Sequence, residues 1–248
     1  MLVSSGQVNE AIDLCMQHKV DITEEQADEM TLPADAPEGE NVDAYEARRK
    51  ELLLKLARAL RKQGSLKLAT KKYAQAGDRI KAMKCLLKSG ETDRIVFFAN
   101  VSRSPEIYIL AANYLQSLDW RQTPDLMKQI ITFYRKARAN EQLSSFFEAC
   151  ADVEIDDYRN YEKAQKAMAE SVKYAKKIRT GEKDARLTQI EGRQATIDRF
   201  VEARSLKESD PAKMEQMCLQ LTQQRDAESS IRLGDVYSLL IEYYFKSS

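Results

Sequence analysis

The sequence predicts an all-α protein in which antiparallel helix pairs stack into a right-handed superhelical solenoid. The main observation is a repeat of thirteen residues, whose three clearest copies begin at Gly64, Gly77 and Gly90. Each copy places small or apolar residues at the fifth, ninth and twelfth positions after its glycine. These residues are Ala69, Tyr73 and Ala76, then Ala82, Leu86 and Ser89, then Ile95, Ala99 and Ser102. Spacings of three and four put them on one face of a helix, and a short helix with one such face must pack on its neighbours.

The composition supports this prediction. The 248 residues include only 8 Gly and 5 Pro, and so few turn formers favour helices joined by short loops over β-structure. Lys plus Arg and Asp plus Glu both number 39, so no net charge attracts the chain to nucleic acid or to a membrane. The sequence contains no apolar run of membrane-spanning length and no signal peptide. We therefore expect a soluble intracellular protein that neither binds nucleic acid nor inserts into a membrane.

The first half of the chain contains clear helix and loop signals. We expect helices over residues 7–19 and 43–62. Between them, Thr23–Gln26 has the form of a capping box and begins a short helix that ends by Leu32. Residues 33–43 are rich in Pro and acidic residues and predict a loop. Because the repeat resumes after this acidic loop, we expect it to connect two parts of one solenoid.

Helix starts in the second half are marked by proline. Pro105 and Pro124 each follow a hydroxyl residue, Ser104 or Thr123, which we expect to cap the helix. The dipeptide Asp210–Pro211 starts another helix in the same way.

The helices become longer toward the C-terminal end. A shorter helix begins at Asn140 and is followed by two long helices, over residues 155–179 and 183–207, that should pair as an antiparallel hairpin. The last helix begins near Asp226. The predicted organisation is a series of repeats at residues 1–154, followed without interruption by the longer hairpin and further repeat helices at 155–248.

Charge is segregated along the first half. From Asp21 to Ala47 there are ten acidic residues and no basic one, whereas from Arg48 to Lys88 there are fourteen Lys and Arg against two acids. The basic residues recur at helical spacing, as in Lys81, Lys84 and Lys88. Such a run favours a solvated outer face, but it is also consistent with a docking surface for an acidic partner or for the acidic segment upstream. We take Lys81, Lys84 and Lys88 as candidate partner-binding residues.

The two ends of the chain resemble interrupted repeats. The last predicted helix carries Tyr243, Tyr244 and Phe245 close to its end, and the first copy of the repeat, Gly6 to His18, has no helix before it. A solenoid needs polar outer faces on its terminal repeats, so both ends look cut. We expect the three aromatic residues to be partly exposed and to bind a partner.

The sequence gives little support for catalysis or for a metal site. The best catalytic pair would be Cys15 and His18, one helical turn apart, as nucleophile and base. Neither a Gly-rich phosphate loop nor a G-x-S-x-G turn accompanies them. Four cysteines that lie far apart and a single histidine do not form a metal-ligand pattern. We expect no enzymatic activity, no metal and no cofactor, and buried thiols in a reducing compartment.

An RNA-binding helical repeat is another alternative. It would need the same base-reading residues at equivalent positions of each repeat, and Lys67, Lys81 and Asp93 do not keep one type. We expect no salt-dependent shift on RNA.

The helix pair around Gly64 resembles the tetratricopeptide repeat, although the proline usual after the second helix is absent. Longer strings resemble, more specifically, the C-terminal tetratricopeptide-like region of the 140 kDa subunit of intraflagellar transport complex A. These strings are Thr23–Glu25, Ala69–Gly77, Lys81–Gly90, Ile107–Trp120, Ala151–Asp157 and Ile231–Tyr237. Because they are spread along the sequence, the resemblance covers nearly the whole chain.

The resemblance implies a non-catalytic scaffold. Members of that family carry two N-terminal β-propellers before a long helical solenoid, and this chain would be part of the solenoid. The implied role is in the coat-like complex that moves cargo back down the cilium and brings membrane proteins into it, at the cilium, the ciliary base and in the cytoplasm. The implied partners are the other complex A subunits and, through them, tubby-like cargo adaptors. The alternative is a generic tetratricopeptide-like subunit of another coat or vesicle-trafficking complex.

Overall fold

The computed structural model describes residues 7–178 and 183–247. Within these ranges the chain forms thirteen α-helices and one short 3-10 helix, and it forms no β-strand. The chain divides into two compact units, Met1–Leu118 and Asp119–Ser248. The predicted all-α fold is confirmed.

The described part of the first unit contains seven helices. They are α1 (Val8–Gln17), α2 (Glu24–Glu29), α3 (Val42–Lys62), α4 (Leu66–Gln75), α5 (Arg79–Ser89), α6 (Thr92–Ser102) and α7 (Pro105–Gln116). From α3 to α7 each helix packs on the next. In addition, α5 packs on α7, and α1 packs on α3. The helices predicted in this half are therefore present, within a few residues of their predicted bounds.

The thirteen-residue repeat determines where these helices end. Gly64, Gly77 and Gly90 have φ angles of +84°, +77° and +72°, in the left-handed region that glycine adopts without steric cost. After Gly64, the N–H of Ser65 donates to the Leu60 carbonyl at 2.9 Å, as in a Schellman motif. Each of these turns ends one helix and lets the next begin within a few residues.

Arg103 occupies the next position of the same thirteen-residue period. Its φ angle of +49° is also left-handed, although an L-residue pays a steric cost for this conformation. Its N–H donates to the Ala99 carbonyl at the end of α6. The chain therefore reverses at a fixed interval even where the residue is not glycine.

Eight of the nine residues predicted on the inner face of the repeat are buried, and the ninth, Ser89, is half-buried. Ala69, Tyr73, Ala82, Ile95 and Ala99 are all 0% exposed. The alanines let neighbouring helices approach closely, and the Tyr73 ring fills the space beside them. The hydroxyl of Tyr73 has no hydrogen-bond partner among the described residues.

The described part of the second unit contains six α-helices and the 3-10 helix. They are α8 (Pro124–Ala137), α9 (Asn140–Asp156), α10 (Tyr161–Ala175), α11 (Lys183–Ser205), α12 (Pro211–Gln223), the 3-10 helix Ala227–Ser229, and α13 (Leu233–Ser247). Each α-helix packs on the next. Trp120 is buried, and its ring centroid lies 4.9 Å from that of Phe146.

The start predicted for the helix over residues 155–179 is wrong. Helix α9 continues to Asp156, and α10 begins only at Tyr161. Between them Arg159 has a φ angle of +52°, and the Asn160 side chain caps α10 by accepting from the N–H of Lys163. Residue 154, where the two parts of the chain were predicted to divide, lies inside α9. The predicted pairing of the two long helices is present, because α10 packs on α11 as well as on α9; the turn predicted at residues 180–181 lies outside the described residues.

Two of the predicted helix caps are also wrong. Helices α7 and α8 begin at their prolines as predicted, but the Ser104 and Thr123 hydroxyls accept no capping hydrogen bond. Asp210 does cap α12, and Thr23 forms both bonds of its capping box. The last helix begins at Leu233 rather than near Asp226, since a 3-10 turn precedes it.

Gly77→Ala should destabilise the folded protein by about 1 kcal/mol, because alanine is strained at this positive φ angle. Apart from the residue itself and its chain neighbours, a Cβ at Gly77 would meet no atom within 4 Å, so the cost comes from alanine's own backbone conformation and not from a clash with packed residues. Urea unfolding followed by circular dichroism measures the change. Gly192 in α11 is the matched control, since its Cβ also meets nothing within 4 Å and alanine there should stabilise the helix by about 0.5–1 kcal/mol. Equal effects of the two substitutions would contradict this assignment.

Tyr73→Phe should leave the free energy of unfolding unchanged or raise it by about 1 kcal/mol, because it removes a buried hydroxyl that lacks a partner. Tyr161→Phe is the control, because the Tyr161 hydroxyl donates to Asp235 at 2.7 Å and accepts from the Arg232 N–H at 3.2 Å. That substitution should lower stability by about 1–3 kcal/mol. Thermal melts of both variants test the pair, and a clear loss of stability for Tyr73→Phe would refute the prediction.

Candidate functional site

Cys15 and His18 do not form an activated pair. Cys15 is half-buried in α1, and His18 is exposed at the C-cap of the same helix. No hydrogen bond joins their side chains among the described residues, so Cys15 has no base positioned to take its proton.

The other three cysteines are buried and their thiols are held protonated. Burial raises the pKa of Cys150 to about 12 and that of Cys218 to about 11, and it also raises the pKa of Cys85. Because the thiolate is the reactive form of cysteine, these side chains act as small apolar core residues. The expectation of buried thiols is met at these three positions and not at Cys15.

In residues 7–178 and 183–247, no group of three or more His, Cys, Asp or Glu side chains is arranged to hold a metal ion. Across the same part of the chain, every helix is too short or too polar to cross a bilayer. What the described surface does offer is exposed charge and exposed apolar area.

The basic stripe predicted on α5 is partly engaged within the chain. Lys81 Nζ lies 2.6 Å from the carboxylate of Asp78, which caps the same helix. Lys84 and Lys88 are exposed, and in the part of the chain that the structure describes neither forms an ion pair. The available charge of the stripe is therefore the pair Lys84 and Lys88, one turn apart.

Helix α3 adds further cations next to this pair. Arg58, Arg61 and Lys62 are exposed and form no side-chain ion pair within the described ranges. Arg61 and Lys88 both act electrostatically on the thiol of Cys85, so the cations of α3 and α5 lie in the same neighbourhood. We refer to the exposed cations Arg58, Arg61 and Lys62 of α3 and Lys84 and Lys88 of α5 as the basic surface.

The acidic segment upstream engages a different set of cations. Lys71 contacts Glu24 and Asp28, each at 3.1 Å, and Arg48 contacts Glu40 at 3.0 Å. These contacts join α2 and the acidic loop to α3 and α4. The acidic segment therefore neutralises part of the basic segment, but not the basic surface on α3 and α5.

Lys72 anchors α2 from within the core. Its side chain is 1% exposed, and its ammonium donates to Asp28 Oδ1 and to Thr31 Oγ1, both at 2.7 Å. Hydrogen bonds from Lys72, and then from Lys71, lower the pKa of Asp28 below its usual value. A buried ammonium requires such partners, because its desolvation is costly.

The aromatic residues predicted at the end of the last helix are exposed to different degrees. Phe245 is 85% and Tyr244 47% exposed, while Tyr243 is half-buried against the core. The hydroxyl of Tyr244 donates to Glu215 on α12. Their exposure agrees with the expectation from the sequence, and their binding to a partner stays a prediction.

Two further residues of this surface were missed in the sequence. Tyr237 and Ile241 are 49% and 66% exposed, and with Tyr244 and Phe245 they follow one face of α13 at spacings of three and four. We call these four residues the α13 face. Val236 and Leu240 of the same helix are buried, at 0% and 5% exposure. The overlooked signal is that apolar residues cover more than one side of α13.

Comparison with protein families gives two matches. Residues 1–133 match a family model described as the tetratricopeptide-repeat (TPR) domain shared by intraflagellar transport proteins 140 and 172. Residues 141–248 match one described as the C-terminal TPR domain of intraflagellar transport protein 140. TPR domains are helical repeats that typically serve as non-catalytic scaffolds, and the observed helix pairs agree with that architecture.

Asp28→Ala should destabilise the protein more than Lys72→Met does. The first substitution leaves a buried ammonium with Thr31 alone, whereas the second leaves Asp28 half-exposed and still paired with Lys71. The double variant should therefore recover much of the stability that Asp28→Ala loses. Urea unfolding of the three variants measures these differences, and a larger loss for Lys72→Met would contradict the assignment.

The difference between wild type and Asp28→Ala should also depend on pH. Because folding lowers the pKa of Asp28, its contribution is complete above the ordinary aspartate range and is lost as pH falls through the folded pKa. The two proteins should therefore become more alike below about pH 4.

Proposed function

Because models of TPR domains match residues 1–133 and 141–248, the chain belongs to the family of intraflagellar transport protein 140, and we propose its more specific function from this assignment. The chain is a TPR scaffold of an intraflagellar transport subunit. The chain is a non-catalytic interaction solenoid in a subunit of complex A. It supports retrograde ciliary transport and the ciliary entry of membrane-protein cargo. The main support is that a family model specific to the C-terminal domain of intraflagellar transport protein 140 matches residues 141–248. This match favours the assignment over a generic TPR subunit of another coat.

The proposed partners are the other subunits of complex A. A tubby-like adaptor is reached through them, and neither nucleic acid nor a membrane interior is a proposed partner. The site of action is the cilium, with the ciliary base and the cytoplasm. Enzymatic activity is not part of the proposal, because the domains that match the chain are TPR domains, which typically serve as scaffolds.

Two surfaces are proposed to make the contacts. The first is the basic surface, including Lys84 and Lys88 of the predicted stripe; Lys81 acts mainly by holding the N-terminus of α5. It offers five exposed cations without intramolecular partners among the described residues, and it fits an acidic surface of a partner subunit. The second is the α13 face with Tyr243 beside it, which offers exposed apolar area of the kind that marks interaction sites.

Co-purification of the other complex A subunits with this chain tests the proposal. Lys84→Glu with Lys88→Glu should weaken co-assembly, and the loss should be larger at low salt because exposed charges are screened at high salt. Ile241→Asp with Phe245→Asp should weaken co-assembly at both salt concentrations, since apolar contacts are not screened.

The matched control is Lys166→Glu with Arg199→Glu, which makes the same change of charge at exposed residues of α10 and α11. It should leave co-assembly unchanged. If wild-type chain recovers no complex A subunit, the proposed function is wrong; if it does and both surface variants behave like the control, the two surfaces are wrongly assigned.

A further inference from the structure

The first unit contains a groove that neither proposed surface uses. Its volume is about 400 Å³, and it lies between α4 and α6, with α2 contributing at one side. Leu86 of α5 is buried and forms part of the floor, and the partly buried side chains Leu68 and Phe98 form its walls. The groove is within the range of about 300–1,000 Å³ that is usual for ligand sites, and it has room for one or two large side chains.

One wall of the groove ends in an exposed aromatic residue. Phe97 lines the groove and is 68% exposed, and Val101, one turn further along α6, is 54% exposed. Core packing does not account for either side chain, because the buried side of α6 is formed by Ile95, Ala99 and Ser102. The groove therefore continues into exposed apolar surface.

Ion pairs lie around the mouth of the groove, and Glu24 lines it together with the cations. Lys67 of α4 and Arg94 of α6 share a single carboxylate, that of Glu91, at 3.4 and 3.2 Å. Their side chains are 68% and 54% exposed, so each keeps donors that face water. Lys71 lines the same groove and is held by Glu24 and Asp28. At the end formed by Lys67 and Arg94, two cations therefore face one anion.

We infer that this groove binds a linear segment of a partner protein, in which one large apolar side chain enters the groove and an acidic side chain nearby pairs with Lys67 and Arg94. The apolar walls account for the first element, and the two cations that share the Glu91 carboxylate account for the second. Lys67 and Arg94 share the carboxylate of Glu91, and an acidic side chain of the segment supplies them with a second carboxylate. A helical or extended segment with its acid within about four residues of the apolar anchor satisfies both contacts.

The inference is independent of the proposed function, because it concerns neither the basic surface nor the α13 face and its test uses no complex A subunit. The probe is a displayed library of random peptides of about twelve residues, long enough to hold both contacts, selected on the whole chain. Enriched sequences should pair a large apolar residue with Asp or Glu within about four positions. The enriched peptide, labelled with a fluorophore, is then titrated with the chain and its variants by fluorescence anisotropy.

Phe97→Ser should raise the dissociation constant at least about tenfold, as expected when a central anchor contact is removed. Lys67→Gln with Arg94→Gln should raise it by roughly threefold to tenfold, and the effect should diminish at high salt. The exposure of all three residues keeps the core intact, and unchanged melting temperatures would establish this. Phe245→Ser and Lys84→Gln with Lys88→Gln make the same changes elsewhere and should leave the dissociation constant unchanged.

Several outcomes would overturn the inference. They are a failure to enrich acidic apolar peptides over the starting library, enrichment of basic or uncharged peptides, and binding that persists in Phe97→Ser or is lost in the control variants. The last such outcome would come from sedimentation equilibrium. If the chain forms a dimer that dissociates in Phe97→Ser, the occupant of the groove is a second copy of the chain.

Discussion

The first unit depends on one constraint, the reversal of the chain after every short helix. A helix of ten or eleven residues such as α4, α5 or α6 is marginal by itself and gains its stability from packing. Packing on the next helix requires a turn that ends the first helix abruptly while satisfying its last carbonyls. The left-handed residue at the C-terminal end of each helix from α3 to α6 provides both. It is glycine at Gly64, Gly77 and Gly90, and the steric cost is accepted at Arg103.

The distribution of charge follows from how these helices pack. Helix α2 is only six residues long, and it is held on α4 by the buried ammonium of Lys72 and by Lys71. The acidic segment is thus used within the chain, close to where it occurs in the sequence. The cations of the basic surface form no ion pair among the described residues. This separation of paired from unpaired cations is the basis of the proposal that the basic surface docks an acidic partner subunit.

Of the eleven large apolar side chains that are exposed in the described residues, six lie on two helices. On α13, Tyr237, Ile241, Tyr244 and Phe245 face outward while Val236 and Leu240 pack inward. On α6, Phe97 and Val101 are exposed beside the groove. A scaffold that assembles with several proteins needs such separate surfaces, because each contact then forms without displacing another. The family assignment and these surfaces are consistent with the same role, a TPR solenoid whose function lies in its contacts.

The sequence by itself determined the helical class, the thirteen-residue period and most of the inner-face residues, because these depend on spacings of three and four residues along one helix. It also indicated the glycines at the turns and the cap at Thr23. It did not reveal the break between α9 and α10, since Arg159 gives no sign in the sequence that it will adopt a left-handed conformation. The tertiary structure alone decided that Lys72 is buried with Asp28, that Tyr237 faces outward, and that Phe97 borders a groove. Each of these depends on residues distant in the sequence, or on which of two apolar sides of a helix finds a neighbour, and local periodicity carries no information about either.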